Sequence, residues 1–392
     1  MNTSFTRVEQ VKQVFHEGFG GSPSVWARAP GRVDLMGSHT DYNLGFVLTL
    51  PIGRDTWIAA RPREDRKVRL HSINLNAGAS FDLDQPEQAV RGDWAIYVRA
   101  VAAVLNDEGL ITRGFDGVIH STVPMSSGLS SSAALECASA TVFEALDEWT
   151  LDPVKRALLC QRAENQYVGV NCGILDQYTS CVGEEGCALL LDCRDLSSRP
   201  VRISESVRVV ICDTRFKREL ARSEYGDRRA QCEEGARRLG VKALREISLQ
   251  DYRSREHELP AGVAKRCRFI VEEDERVLKI AAALESLDRP AIQTLTAASF
   301  DGACKLYEIG APAMHTMMQA MTAAPGVMGA RQAGAGFGGC MVAFVEDSKV
   351  DEFVHAAHSA YLRAAGTTPE IYPVTAAAGA GLFSVPTEGN GN

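Results

Sequence analysis

Three early apolar-rich runs, SVWARAPGRVDLMG, GFVLTLPIGRDTWIAARPR and KVRLHSIN, are separated by turn residues. Such runs read as strands, and the turns between them predict antiparallel hairpins rather than βαβ units. Ahead of them, MNTSFTRVEQVKQVF has the mixed spacing of an amphipathic helix. DWAIYVRAVAAVLNDEG switches to helical spacing, GFDGVIHSTVP reads as another strand, and a long helix is predicted over about 130–149, with apolar positions 135, 138, 142 and 146 on one face. A further helix runs through PVKRALLCQRAENQYVG, and GCALLLDCR and VRVVICDT read as strands. From about Arg215 charged helices dominate, in ARSEYGDRRAQCEEGARRLG, CRFIVEEDERVLKIAAALES and IGAPAMHTMMQAMTAA. The end returns to strands in GCMVAFVE and AGLFSVP, around the helix KVDEFVHAAHSAYLRAAG. The pattern predicts an α+β protein of two domains, 1–205 and 206–392, each a sheet partly covered by helices.

A length of 392 residues suits two such domains. The net charge of −8 sets the mean field against nucleic acid and anionic membranes, so a small anionic ligand needs a local amide-rich or basic site. No apolar run approaches the ~18 residues of a membrane span, and the first residues do not read as a secretion signal. The 11 cysteines sit singly in apolar surroundings such as ALECASA and VVICDTR, without a CxxC pair. Reduced, buried thiols in a cytoplasmic protein are the expectation, ahead of a disulfide framework or a zinc site. No nucleic acid or membrane is expected as a partner, and the chain is expected to be a monomer or a weak homodimer.

VPMSSGLSSSAALE carries the strongest chemistry. Pro124 stops a strand, Gly128 permits a tight turn, and Ser130, Ser131 and Ser132 open a helix. Free N–H groups and the positive end of the dipole meet there, so the turn can cradle an anion. A plain helix cap needs one serine; five within 126–132 favour phosphate. The loop is neither a Walker A motif nor a GxSxG elbow. Further on, Gly334, Gly336 and Gly339 spell GxGxxG, but a strand and not a helix follows. A tightly packed hairpin, or backbone closing over a ligand held by the other domain, fits better. Glu164 lies on a helix, and Asp176 follows a turn at Gly173 among apolar neighbours; a buried Asp with an Arg partner is either a structural ion pair or a catalytic group.

Taken in order, GRVDLMGSHTDYNLGFVLTLP, PMSSGLSSSAALE, CGILDQ, SEYGDRRAQCEE and GVMGARQAGAGFGGC resemble the segments of galactokinases, in the sugar-kinase branch of the GHMP kinases. The resemblance runs over about 25–345. It implies an N-terminal domain like ribosomal protein S5 domain 2, a ferredoxin-like C-terminal domain and an active site between them. It implies ATP-dependent phosphorylation of the anomeric hydroxyl of a hexose, with Mg²⁺. By position, Asp176 is the implied base or charge partner and Arg32 the implied stabiliser of the transferring phosphoryl group. Ser132 and Glu164 are the implied Mg²⁺ ligands. Ser126, Ser127, Gly128, Leu129, Ser130, Ser131 and Ser132, with Ser72, are the implied nucleotide contacts. Ser38, His39, Asp41, Gly173 and Tyr225 are the implied sugar contacts.

Four positions depart from the galactokinase pattern. Ser38 stands where the family has Glu, and Asp34 where it has Asn. AASFDGACKLYEIG replaces a Ser-His-Ser-Leu stretch, and RQAGAG lacks the usual central threonine. The loop, Arg32, Glu164 and Asp176 are intact, so kinase chemistry is expected. The resemblance assigns the family glutamate to the sugar's C6 hydroxyl, so the acceptor is open: galactose first, then L-arabinose, which lacks C6, or galacturonate, whose carboxylate is no longer repelled. A non-catalytic sugar sensor is the rival, opposed by the intact GLSSSAA. A mevalonate-type or amino-acid kinase is opposed by HTDYN, which suits a sugar.

Overall fold

The structure, a computed structural model, describes residues 3–86, 93–111, 113–125, 127–216 and 221–385. The strands are β1 (Val25–Met36), β2 (Phe46–Pro62), β3 (Lys67–Ser72), β4 (Ala77–Asp82), β5 (Phe115–Ser121), β6 (Cys187–Asp192), β7 (Ser197–Arg202), β8 (Val207–Asp213), β9 (Val327–Gln332), β10 (Cys340–Glu346), β11 (Glu370–Val374) and β12 (Gly381–Leu382). The helices are α1 (Thr3–Phe19), α2 (Ile96–Asp107), α3 (Ser131–Leu146), α4 (Pro153–Ala163), α5 (Leu175–Val182), α6 (Ala221–Arg238), α7 (Leu249–Arg255), α8 (Ala261–Ser286), α9 (Arg289–Lys305), α10 (Pro312–Thr322) and α11 (Val350–Ala365).

The first sheet runs β12-β1-β2-β5-β3-β4, with β6 beside β2 and β7 beside β6. Its pairs are antiparallel except β3 and β5, which are parallel. The purely hairpin reading misses that pair, because α2 carries the chain from β4 back to β5 as a crossover. The second sheet is antiparallel, in the order β11-β8-β10-β9. The chain leaves the first sheet at 203–206, and β12 returns to it beside β1. AGLFSVP yields only those two paired residues, since its partner there is a single edge.

Two cores result. Helices α2 to α5 cover one face of the first sheet, where Val47, Ile58, Val101, Phe115 and Phe143 are buried. A second core is common to both halves. Leu35, Leu48 and Leu50 of the first sheet meet Ile211 and Phe344 of the second, with Val277 and Ile280 of α8 and Ile292 of α9. An apolar seam of this kind fixes one half against the other more firmly than a polar contact does.

Local chemistry sets the ends of the elements that carry the site. Asp152 caps α4 by accepting from the N–H groups of Val154 and Lys155, with Pro153 at the first helical position. The helix then widens into a π turn, Glu164–Val168, which ends the predicted PVKRALLCQRAENQYVG helix early and swings Glu164 inward, where it is 6% exposed.

Candidate active site

A bulge in β1 between Pro30 and Arg32 turns the Arg32 side chain towards the serine loop. Gly31 makes this possible: a Cβ there would lie 2.7 Å from the Leu129 carbonyl oxygen and 2.9 Å from Val123. The backbone N–H of Arg32 donates to that same oxygen at 3.1 Å. Its guanidinium donates to the Gly128 carbonyl at 2.8 Å and, through Nε and Nη2, to Asp176 Oδ1 at 2.8 and 2.5 Å. Ser130 adopts left-handed backbone, φ 59°, immediately before α3, and its hydroxyl donates to Asp176 Oδ2 at 2.6 Å. Both carboxylate oxygens are therefore held. The Arg32 side chain is 8% exposed and that of Asp176 28%, so the aspartate is the partner that faces open space.

Behind it, Gln177 Nε2 donates to Glu164 at 2.6 Å and to Glu136 at 2.9 Å. Burial raises the Glu164 carboxyl above the usual range, Asp176 adds to the rise, and hydrogen bonds from Cys172, Gln177 and Ser132 oppose it. A bound cation would relieve that strain. No group of three His, Cys, Asp or Glu among the described residues forms a metal cage. Glu164 and Ser132 carry the hard oxygen donors that Mg²⁺ takes and would hold it.

Ser131 and Ser132 also form one end of a cavity with Ser72, Trp94, Tyr97 and Met125. The buried Trp94 Nε1 has no hydrogen-bond partner there. Apolar walls, an unused donor and hydroxyls at a helix N-terminus fit a nucleotide. Ser127 faces inward and donates to the Pro124 carbonyl at 2.9 Å, and Leu129 is 1% exposed, so its contribution is backbone. Ser126 lies outside the described residues.

The turn after β1 carries the sugar candidates. Burial depresses the His39 imidazole to about 4, keeping it neutral. Its Nε2 donates to the Ala335 carbonyl at 2.9 Å, and Nδ1 accepts from the Tyr42 hydroxyl at 2.8 Å. Tyr307 in turn donates to Tyr42 at 2.7 Å. Both ring nitrogens are thus committed inside the protein. Ser38 is 2% exposed, and its proton goes to Asp34 at 2.5 Å, so a sugar hydroxyl can meet it only as a donor. Asp41 and Tyr225 are the part-buried members. Burial pushes the Asp41 carboxyl up to about 6, Asp176 adds to the rise, and the N–H groups of Tyr42 and Leu175 oppose it. Gly173 is required beside Asp41, because a Cβ at 173 would collide with that carboxylate. The Tyr225 ring lies 5.2 Å from His39 and 5.5 Å from Tyr42.

Three residues that the sequence did not single out join this turn: Glu273 of α8, Ser299 of α9 and Arg331 of β9. Ser299 donates to Glu273 at 2.7 Å and accepts from Arg331 at 3.0 Å. Nothing local singles them out, since no period of the sequence marks partners that lie 26, 32 and 293 residues away. The GxGxxG turn follows β9 and precedes β10, as the sequence order requires. It lies against the first half through Gly334, whose N–H donates to Asp34 at 3.3 Å.

Residues 13–62 match the galactokinase galactose-binding signature and residues 95–184 the GHMP kinases N terminal domain. A galactokinase of Chloroflexus aggregans is 44% identical over 376 residues, covering 95% of this chain and 96% of that protein. The chain belongs to the galactokinase family. A second galactokinase, from a Roseiflexus species, is 42% identical over 95% of the chain. Galactokinase of Lactococcus lactis, solved in complex with galactose, superposes with a TM-score of 0.92 at 32% identity, covering 96% of this chain and 99% of that one. The mevalonate kinase of Methanococcus jannaschii, at 17% identity and a TM-score of 0.66, shares the fold alone. The α+β GHMP kinase fold expected from the resemblance therefore holds for this galactokinase-family chain.

Proposed function

We propose that the chain transfers the γ-phosphoryl group of ATP to the anomeric hydroxyl of galactose, giving the sugar 1-phosphate. The observation that carries this reading is the Asp176 carboxylate, gripped on both oxygens by Arg32 and Ser130 at the mouth of the serine loop. Phosphoryl transfer needs positioning and charge neutralisation more than covalent chemistry. Asp176 orients the acceptor hydroxyl and takes its proton. Arg32 spreads its charge between that carboxylate and the transferring group. The amides of 128–132 cradle the phosphates, while Ser72, Trp94 and Tyr97 enclose the base. Ser132 and Glu164 would hold Mg²⁺, which would supply further neutralisation of phosphate charge.

Asp41, Tyr225 and the Gly173 backbone face the sugar hydroxyls, with Ser38 and His39 shaping the turn that presents them. No two of the eleven cysteines are joined in a disulfide, as would hold for reduced thiols in the cytoplasm, and no described helix is long and apolar enough to cross a membrane. We expect a monomer or a weak homodimer. The intact loop favours catalysis over sugar sensing.

The test is ADP release with galactose, L-arabinose, galacturonate and N-acetylgalactosamine. Turnover highest with galactose, with sugar 1-phosphate as product, is expected. Absence of turnover with every sugar, while ATP binds, would overturn the proposal.

A further inference from the structure

Positions 34 and 38 are four residues apart on the chain and touch in the fold. Ser38 Oγ donates to Asp34 Oδ2 at 2.5 Å and accepts from Arg331 Nη2 at 2.9 Å. Arg331 Nη1 stands 3.6 Å from the same aspartate oxygen. Nη2 also reaches Glu273 Oε1 at 3.1 Å, and Arg276 donates to the other Glu273 oxygen at 2.7 Å. Asp34, Ser38, Glu273 and Arg331 are 1%, 2%, 0% and 0% exposed. Arg276 also reaches Glu272 at 3.4 Å, which accepts from Arg268 at 2.9 Å, so three guanidiniums and three carboxylates balance, and a buried set of charges is tolerated only when it balances. Asp34 Oδ1 and Arg331 Nη1 have no hydrogen-bond partner, so the arginine can take a further acceptor. Since Nη2 already touches Ser38, a carboxylate at 38 would meet Arg331 directly.

We propose that positions 34 and 38 share one negative charge beneath Arg331, that this chain carries it at 34, and that Asp34 is thereby the positioning residue of the acceptor-facing turn. The inference rests on the proposed reading of 31–43 as the sugar wall. Asp34 and Ser38, the two departures from the galactokinase pattern in this stretch, are thereby joined by a single hydrogen bond. Asp34 fixes Ser38 as an acceptor, because its only proton is spent on the carboxylate, and braces the turn against Gly334. The wall at 38 is neutral as a result. A sugar hydroxyl there must donate, and an anionic acceptor such as galacturonate meets less repulsion than a carboxylate at 38 would impose.

The test is a cycle of wild type, Asp34→Asn, Ser38→Glu and the double variant. It reads thermal unfolding, KM for galactose and for ATP, kcat, and competition by galacturonate. Asp34→Asn leaves Arg331 unbalanced, and Ser38→Glu sets two carboxylates in contact, so each alone lowers the unfolding midpoint. The double variant regains most of the loss. KM for galactose rises roughly tenfold in Asp34→Asn and recovers in the double variant, while KM for ATP stays within about twofold. Galacturonate competes roughly tenfold less well with the double variant than with wild type. Additive losses, or a galactose KM indifferent to Asp34→Asn, would overturn the proposal. A double variant that folds where either single change does not supports it; a double variant that also fails to fold overturns it. If wild type turns over no sugar, the proposed function fails, and the unfolding cycle still decides the shared charge.

Discussion

Asp41 accepts from the N–H groups of Tyr42 and Leu175, yet burial and the nearby Asp176 charge lift its carboxyl to about 6. Its native value exceeds the ordinary 3.8, so within that window the folded protein binds more protons than the unfolded chain. Its contribution to stability is greatest below the window and is lost as pH rises through it. Asp41→Asn is therefore expected to raise the unfolding midpoint at pH 7.5 while raising the galactose KM roughly tenfold. An unchanged KM would remove Asp41 from the sugar site. In wild type the same KM should climb as pH falls below about 6. Arg32→Lys keeps the charge but loses the fork that spans Gly128 and Asp176, and kcat is expected to fall roughly 100-fold with nucleotide affinity little changed. Asp176→Ala should remove roughly 10²–10⁴-fold of the rate. Arg32, Asp176 and the serines were legible in the sequence because each sits in a short motif with its own geometric demand. Glu273 and Arg331 were not, since what marks them is a contact across 58 residues with each other and across more than 200 with Ser38 and Gly37.

Among the elements, α3 and α4 are joined end to side by a buried pair. Arg156 donates to both Glu144 oxygens, and Glu144 also accepts from the N–H of Leu151. The two side chains are 8% and 6% exposed. Arg156→Ala strands that carboxylate and should cost about 3–5 kcal/mol in chemical denaturation. Arg156→Met with Glu144→Leu should recover most of it; equal losses in both variants would show that the pair contributes packing alone. Though α5, α9, β9 and β11 had no reading of their own, being short or of mixed pattern, helix and strand identity was readable where a run was long enough to repeat. The π turn at Glu164–Val168 and the parallel pairing of β3 with β5 were not, because both follow from what the chain packs against and not from its own spacing.

At the scale of the molecule, the apolar core common to β1, β2, β8, β10 and α8 makes the halves mutually dependent. A single calorimetric transition is expected despite the length of the chain, and two resolved transitions would contradict that dependence. The returning end strengthens it. Leu382 pairs with Ala27, Arg28 donates to the Ala378 carbonyl at 2.7 Å, and the Phe383 ring lies 5.9 Å from Trp26. These contacts close the edge of β1 with residues that lie some 350 positions further along the chain. During synthesis the first sheet therefore waits with that strand edge uncovered until residues 378–383 emerge, and until then the edge is open to chaperones, proteases or another copy.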